Sequence, residues 1–343
     1  MMDLHPYLEP YSLPAPKMWH ILATSGEHPA VRVGHACIHI PSSGQSNGYL
    51  FVTGGANPSG TFSDMFCLDV DTFTWQKYPA SGFAGRYEHT VFRSPNDPTK
   101  FYVFGGADCN GNRNDIQEFD ITNKTWSTVE TSGTVPPPRT FHNGACIGNK
   151  LIVYSGGEQG AEPVSDKNTY MFEITEQRWS VLKLCGDAPK PRHGHLMVAV
   201  NNHLFLHGGM SGSMFFDDLH ILDLNKETWS CAKVKSVKPS RRAAHGGFVS
   251  GTDVFVFGGM NTSGALSDIF SLNTSKQLFE IILMSCVFYL KIKIHLSYIS
   301  CPLSFMLCVY MTSGILQLLM VPVHHCYHDQ ICSSHFIRQS VNI

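Results

Sequence analysis

Five Gly-Gly pairs recur along this chain at steps of 51, 51, 52 and 50 residues: Gly54-Gly55, Gly105-Gly106, Gly156-Gly157, Gly208-Gly209 and Gly258-Gly259. A period this regular demands a repeated structural unit. An apolar, strand-like run precedes each pair, as in Phe101-Tyr102-Val103-Phe104 or Val254-Phe255-Val256-Phe257. Trp75, Trp126 and Trp229 stand 20 residues beyond the second glycine and Trp179 stands 22 beyond, while Phe279 takes the place in the fifth unit. Upstream of every pair is an Arg-x-x-His: Arg32/His35, Arg86/His89, Arg139/His142, Arg192/His195 and Arg242/His245. Three marks share one period.

A unit of about fifty residues in this order is the mark of a kelch propeller blade. The second unit reads as strands over residues 88–93, 101–104, 116–121 and 125–127, separated by Ser94-Pro95-Asn96-Asp97-Pro98, a Gly/Asn-rich loop and Thr122-Asn123-Lys124. Elsewhere Gly148-Asn149, Asn201-Asn202 and Gly251-Thr252 supply two-residue hairpin chemistry for the first turn. The expected fold is therefore all-β, a propeller of four-stranded blades. Glycine pairs permit close approach of a neighbouring blade, and an indole burying roughly 200 Å² fills the space between blades. A buried guanidinium needs partners, which assigns the Arg and His marks to folding rather than to chemistry.

Composition narrows the class. The formal net charge is −2 with no Lys/Arg run, which argues against nucleic acid and against a polybasic membrane patch. Six of the eleven cysteines fall in the repeats (Cys37, Cys67, Cys109, Cys146, Cys185, Cys231) without a shared phase, so a reducing compartment fits better than a disulfide framework. The N-terminus has no positively charged start leading into an apolar run, so no secretory signal is read.

Residues 30–280 hold the five repeats, and residues 1–29 contain Trp19 in the phase of a fourth strand without its first three. In a closed ring such a strand completes the last blade. The sixth repeat that it calls for is incomplete or divergent: residues 281–343 lack all three marks, and residues 279–343 carry five charged side chains against 47 in the first 278. Residues 296–323 carry no formal charge and are long enough to span a bilayer, although Pro302, Gly314 and Gln317 interrupt them. A divergent apolar tail is the preferred reading. His324, His325, Cys326, His328 and Cys332 have the content of a zinc cluster but not its paired spacing, so no metal site is assigned.

Particular strings narrow the resemblance. Arg32-Val-Gly-His35, Gly54-Gly-Ala-Asn-Pro58 with Phe62-Ser-Asp64, Arg86-Tyr-Glu-His89, Phe104-Gly-Gly-Ala107 with Gly111-Asn-Arg-Asn114, Pro138-Arg-Thr-Phe-His142, Pro191-Arg-His-Gly-His195 and Phe257-Gly-Gly-Met260 together resemble the kelch-repeat Rab-effector family, over residues 8–273. The resemblance implies a six-repeat propeller without catalytic domains, which binds the GTP-loaded form of a late-endosomal Rab GTPase. It further implies a cytoplasmic protein, peripheral on endosomal membranes through its partners, acting in the return of mannose 6-phosphate receptors to the trans-Golgi network. Other trafficking proteins are further candidate partners. The missing sixth repeat is the departure.

Function on propellers resides in loops that the blades hold still. The turns between strands two and three share a face with the connections from strand four to the next blade, and on this face Phe62, Arg113, Glu158, Phe215 and Phe216 are the candidate partner contacts, aromatics and Arg being frequent interface anchors. Competing classes fare worse. A copper oxidase would need His and Tyr converging at the axis, but the histidines recur once per blade in one context, and no phosphate loop, nucleophile elbow or His-Glu metal motif is present. No cofactor and no catalytic residue are expected. A kelch ubiquitin-ligase adaptor would need a cullin-binding domain, for which the about 18 residues before Trp19 leave no room.

Overall fold

The computed structural model describes residues 6–14, 20–42, 46–159, 162–282, 305–312 and 315–322. Its five repeats form five antiparallel four-stranded blades of a β-propeller, and no helix occurs among the described residues. Blade one is built from Ala36–Ile40, Tyr49–Thr53, Met65–Asp69 and Thr74–Tyr78, and blade two from Thr90–Phe92, Lys100–Phe104, Ile116–Asp120 and Thr125–Thr128. Blade three comprises Asn143–Ile147, Lys150–Tyr154, Thr169–Glu173 and Arg178–Val181; blade four comprises Leu196–Val200, His203–His207, Leu219–Asp223 and Thr228–Cys231. Gly246–Ser250, Asp253–Phe257, Ile269–Asn273 and Leu278–Ile281 make blade five. First strands of successive blades lie side by side in chain order, which puts them innermost.

The core sits between blades because both faces of each blade are covered. Alternate residues of a strand point to opposite faces, so Phe51 of blade one meets Phe101 and Phe119 of blade two, in one cluster with Trp126. Trp179 likewise packs against Phe104 of blade two, Trp229 against Tyr154 of blade three, and Phe279 beside His207 of blade four. The indoles of blades two to four thus fill the seam with the preceding blade, Trp75 of blade one packs with Leu8 and Leu22 of the N-terminal strands, and Phe279 takes the place in blade five.

Backbone latches cross the same seams. The amides of Gly55, Gly106, Gly156 and Gly209 donate to the carbonyls of Arg86, Arg139, Arg192 and Arg242 of the next blade, at 2.8, 3.0, 2.9 and 2.8 Å. The residue before each donor has a left-handed φ, and a Cβ on Gly54 would lie 2.2 Å from the Arg86 carbonyl oxygen. Blade three departs from the sequence reading. Its left-handed position is held by Ser155 (φ 54°), Gly156 gives the latch, and Gly157 bridges Thr140 as Ala56 bridges Val33. The functional pair there is Ser155-Gly156, one residue earlier than the glycine count indicates. Serine is tolerated because its hydroxyl accepts the Arg192 amide at 2.8 Å.

Short straps add a fifth strand to three blades. Ser25–Gly26, Ser132–Gly133 and Cys185–Gly186 each run parallel to the outer strand of the blade that follows, pairing opposite Thr74-Trp75, Arg178-Trp179 and Thr228-Trp229. Ser132 and Cys185 stand six residues after Trp126 and Trp179, and Ser25 stands six after Trp19, which keeps the N-terminal segment in fourth-strand phase. Trp19 itself lies outside the described residues. Ile21–Leu22 pairs in parallel with Tyr7–Leu8, and Leu8 and Leu22 bury against Leu50, Val52, Phe66, Leu68 and Trp75 of blade one.

Beyond residue 282 the described chain is one antiparallel hairpin, Phe305–Thr312 with Ile315–Pro322. That part of the apolar stretch is strand, and no helix among the described residues is long and apolar enough to cross a membrane. The His324 to Cys332 cluster lies outside the described residues.

Candidate partner-binding face

One buried ion pair per blade holds up the loop face. Each motif arginine has a fully buried side chain: Arg32, Arg86, Arg139, Arg192 and Arg242 pair with Asp64, Asp115, Asp166, Asp218 and Asp268 of the loop ahead of strand three. The same guanidinium donates to the carbonyl of its own blade's left-handed residue, Gly54, Gly105, Ser155, Gly208 or Gly258, at 2.9–3.1 Å. Its Nε donates to the carbonyl two residues upstream, on Ala30, Ala84, Pro137, Lys190 or Ser240. A desolvated charge is stable only when so completely partnered. The arginine therefore ties the entering connection, the glycine turn and the strand-two to strand-three loop into one rigid unit.

Both loop sets do meet on one face. The Arg139 amide of blade three donates to the Arg113 carbonyl of the blade-two loop at 3.0 Å, and the Arg242 amide to the Phe216 carbonyl at 3.1 Å. Asn114 reaches the Pro136 carbonyl at 3.1 Å, and Lys238 pairs with Asp217 at 3.0 Å. Burial alone would raise the Asp115 carboxyl, but hydrogen bonds from Arg113 and Arg86 outweigh it and bring it down to about 2. The carboxylate that anchors the blade-two loop thus stays charged at any physiological pH.

The five candidate contacts divide. Phe62 lies against the Arg32 guanidinium at 3.9 Å and Phe216 against that of Arg192 at 4.0 Å, cation–π contacts within their own blades. Arg113 is clamped by Asp108 and Asp115 at 2.8 and 2.9 Å. These three position the loops. Glu158 is exposed and Phe215 half-buried, so both stand toward solvent.

Sequence reading missed two sets of residues. The aspartate partners recur ten residues after the first glycine of the pair in all five repeats, a fourth periodic mark that was readable. Exposed apolar side chains were not readable: Val31 and Val135 on the entering connections, Met214 on the blade-four loop and Val237 on the connection into blade five are 63, 37, 53 and 69% exposed. All four lie on the loop face. Large apolar groups left in water on a rigid surface are what a protein partner would cover.

Among the described residues no group of three or more His, Cys, Asp and Glu is placed to hold a metal ion. The motif histidines instead pack in the seams, His89 with Thr53 at 2.8 Å, His142 edge-on to Phe104 and His245 with His207 at 3.1 Å. A shallow cleft beside Tyr78 is lined by Ser63, Asp64, Lys77, Pro79 and Ala80.

Residues 13–166 and 150–286 match a family model described as the KLHDC2/KLHL20/DRC7 Kelch-repeats domain. The chain belongs to the kelch-repeat family. It is similar to the mouse Rab9 effector protein with kelch motifs, 44% identical over 221 residues that make up 64% of this chain and 58% of the mouse protein. The zebrafish protein of the same name is 37% identical over 234 residues, 65% of this chain and 67% of that protein. A third relative, the Rho GTPase-activating protein gacHH of Dictyostelium discoideum, is 32% identical over 114 residues, 8% of its length. The chain thus spans 58% of the length of the mouse relative.

Proposed function

We propose that this chain is a non-catalytic adaptor whose loop face docks a Rab GTPase. The observation that carries the reading is the set of exposed apolar side chains, Val31, Val135, Met214 and Val237, on loops of one face immobilised by buried Arg–Asp pairs. Preorganised loops lose little entropy on binding, so their apolar contacts convert efficiently into affinity. The names of the kelch relatives supply the kind of partner, a Rab GTPase. Recognition of the GTP-loaded form, a place on endosomal membranes through that partner, and service in the retrieval of mannose 6-phosphate receptors complete the proposal.

Glu158 and Phe215 sit at the rim of this contact, while Phe62, Arg113 and Phe216 act by holding loop shape. Substituting Val135, Met214 and Val237 together with aspartate is expected to weaken capture of GTP-loaded Rab9 at least tenfold, about 1.4 kcal/mol or more. Thermal stability of the ring should change little because all three side chains already face water. Unchanged capture by a folded triple variant would remove this face from the proposal.

A further inference from the structure

The ring has two ends, and their chemistry shows what lies between them. In blade five Val254 and Val256 face blade four, so alternation turns Phe255 and Phe257 to the opposite side. These two are nevertheless buried, at 4% and 8% exposed, and Phe255 stacks on Phe248 with ring centroids 4.8 Å apart. At the latch, the Gly259 amide makes no hydrogen bond to a described residue. Among the described residues a Cβ on Gly258 would meet only the Leu266 carbonyl oxygen at 3.5 Å, where one on Gly105 would strike the His142 ring of the next blade at 2.7 Å. Blade five is therefore built to receive a sixth neighbour. Blade one is covered on its outer side by Leu8 and Leu22 of the N-terminal strands.

C-terminal to blade five, the described residues hold the hairpin Phe305–Thr312 with Ile315–Pro322, paired in unbroken register from Phe305↔Pro322 to Thr312↔Ile315. No charged residue occurs from 305 to 322. A strand that is apolar at nearly every position, not only at alternate ones, suits a sheet covered on both faces, which is the situation of a blade inside a ring. A lone two-stranded hairpin is at best marginally stable and needs further strands. The backbone of Phe305–Thr312 runs within 8 Å of Ile21–Leu22, the strand that carries Leu22 against blade one.

We propose that this hairpin, flanked by Ile21–Leu22, occupies the sixth position of the ring, between blade five and blade one. It is a surrogate blade whose sequence carries neither Arg-x-x-His nor a glycine pair. A second copy, offering its Arg32–His35 segment to Gly258-Gly259, is the rival occupant, and a bilayer taking the tail away is another.

Hydrogen exchange on the full-length protein separates these. With the hairpin in place, light scattering gives a monomer in which the paired amides of Phe305–Thr312 and Ile315–Pro322 exchange within about tenfold of those of the blade-five strand Asp253–Phe257. Lysine at the cross-strand partners Val309 and Leu318, in the double variant Val309→Lys/Leu318→Lys, should speed exchange of Asp253–Phe257 at least thirtyfold while leaving the blade-two strand Lys100–Phe104 unchanged. Hairpin amides exchanging as fast as an unstructured peptide in the wild-type monomer would overturn the proposal. So would hairpin protection confined to a dimer and lost on dilution, or blade-five exchange unchanged in the folded variant.

Discussion

Acidification is expected to unfold this propeller between pH 6 and pH 4, earlier than carboxylate protonation alone would. Five histidines are buried in or beside the seams: His89, His142, His195, His207 and His245. Burial, reinforced by motif arginines, pushes His142 and His207 down to about 3, and lowers His89, His195 and His245 in the same direction. A folded-state value below the ordinary 6.5 means that the neutral histidine contributes stability fully above pH 6.5, and that this contribution is lost as pH falls toward the folded value. Glu88 acts oppositely, since burial lifts it to about 7 and its protonation favours the fold below that pH. Below pH 6.5 the unfolded chain therefore binds more protons at these histidines than the folded ring does, and stability falls as the pH drops. Urea titrations followed by circular dichroism at pH 7, 6 and 5 measure the slope; equal stability at pH 7 and pH 5 would contradict it.

Replacing Asp115 with alanine is expected to cost about 3–5 kcal/mol, the usual penalty for stranding a buried charge. Arg86 has no exposed side-chain surface, and Asp115 holds it through two hydrogen bonds of 3.0 and 2.8 Å while also clamping Arg113. Gln117 and the Gly105 carbonyl remain but carry no full negative charge. Removing both charges with Arg86→Met and Asp115→Leu should recover part of the loss, because apolar replacement of a buried pair is often neutral. Denaturant midpoints for the single and double variants decide the matter. A loss under 1 kcal/mol in Asp115→Ala would show that the pair does not hold the loop face.

How far the fold was legible follows from what each residue can announce. Glycine at a left-handed, sterically crowded turn has few substitutes, so Gly54-Gly55 and its equivalents mark blades openly. Ser155 shows the limit: a serine that receives the Arg192 amide can take the glycine's place, and the neighbouring Gly157 then draws the count one residue out of register. Aspartates 64, 115, 166, 218 and 268 were visible in spacing but not in meaning, since a carboxylate in a loop looks solvated until its arginine is seen to be buried. The straps at Ser25–Gly26, Ser132–Gly133 and Cys185–Gly186 are too short for any periodic signal. On the loop face, Phe62 and Phe216 look like anchors by residue type, yet each lies on a guanidinium. Val135 and Val237 look like core residues by type, yet they stand in water. Exposure is a property of the assembled ring, and residue type alone does not carry it.

The adaptor reading stands or falls on direct binding. Purified full-length chain should be titrated by calorimetry into Rab9 loaded with a non-hydrolysable GTP analogue and, in parallel, with GDP. A one-to-one complex with micromolar or tighter affinity for the GTP form, and at least tenfold weaker for the GDP form, is the expected result. No heat and no complex with either form, from a protein whose circular dichroism shows an intact β-propeller, would contradict it.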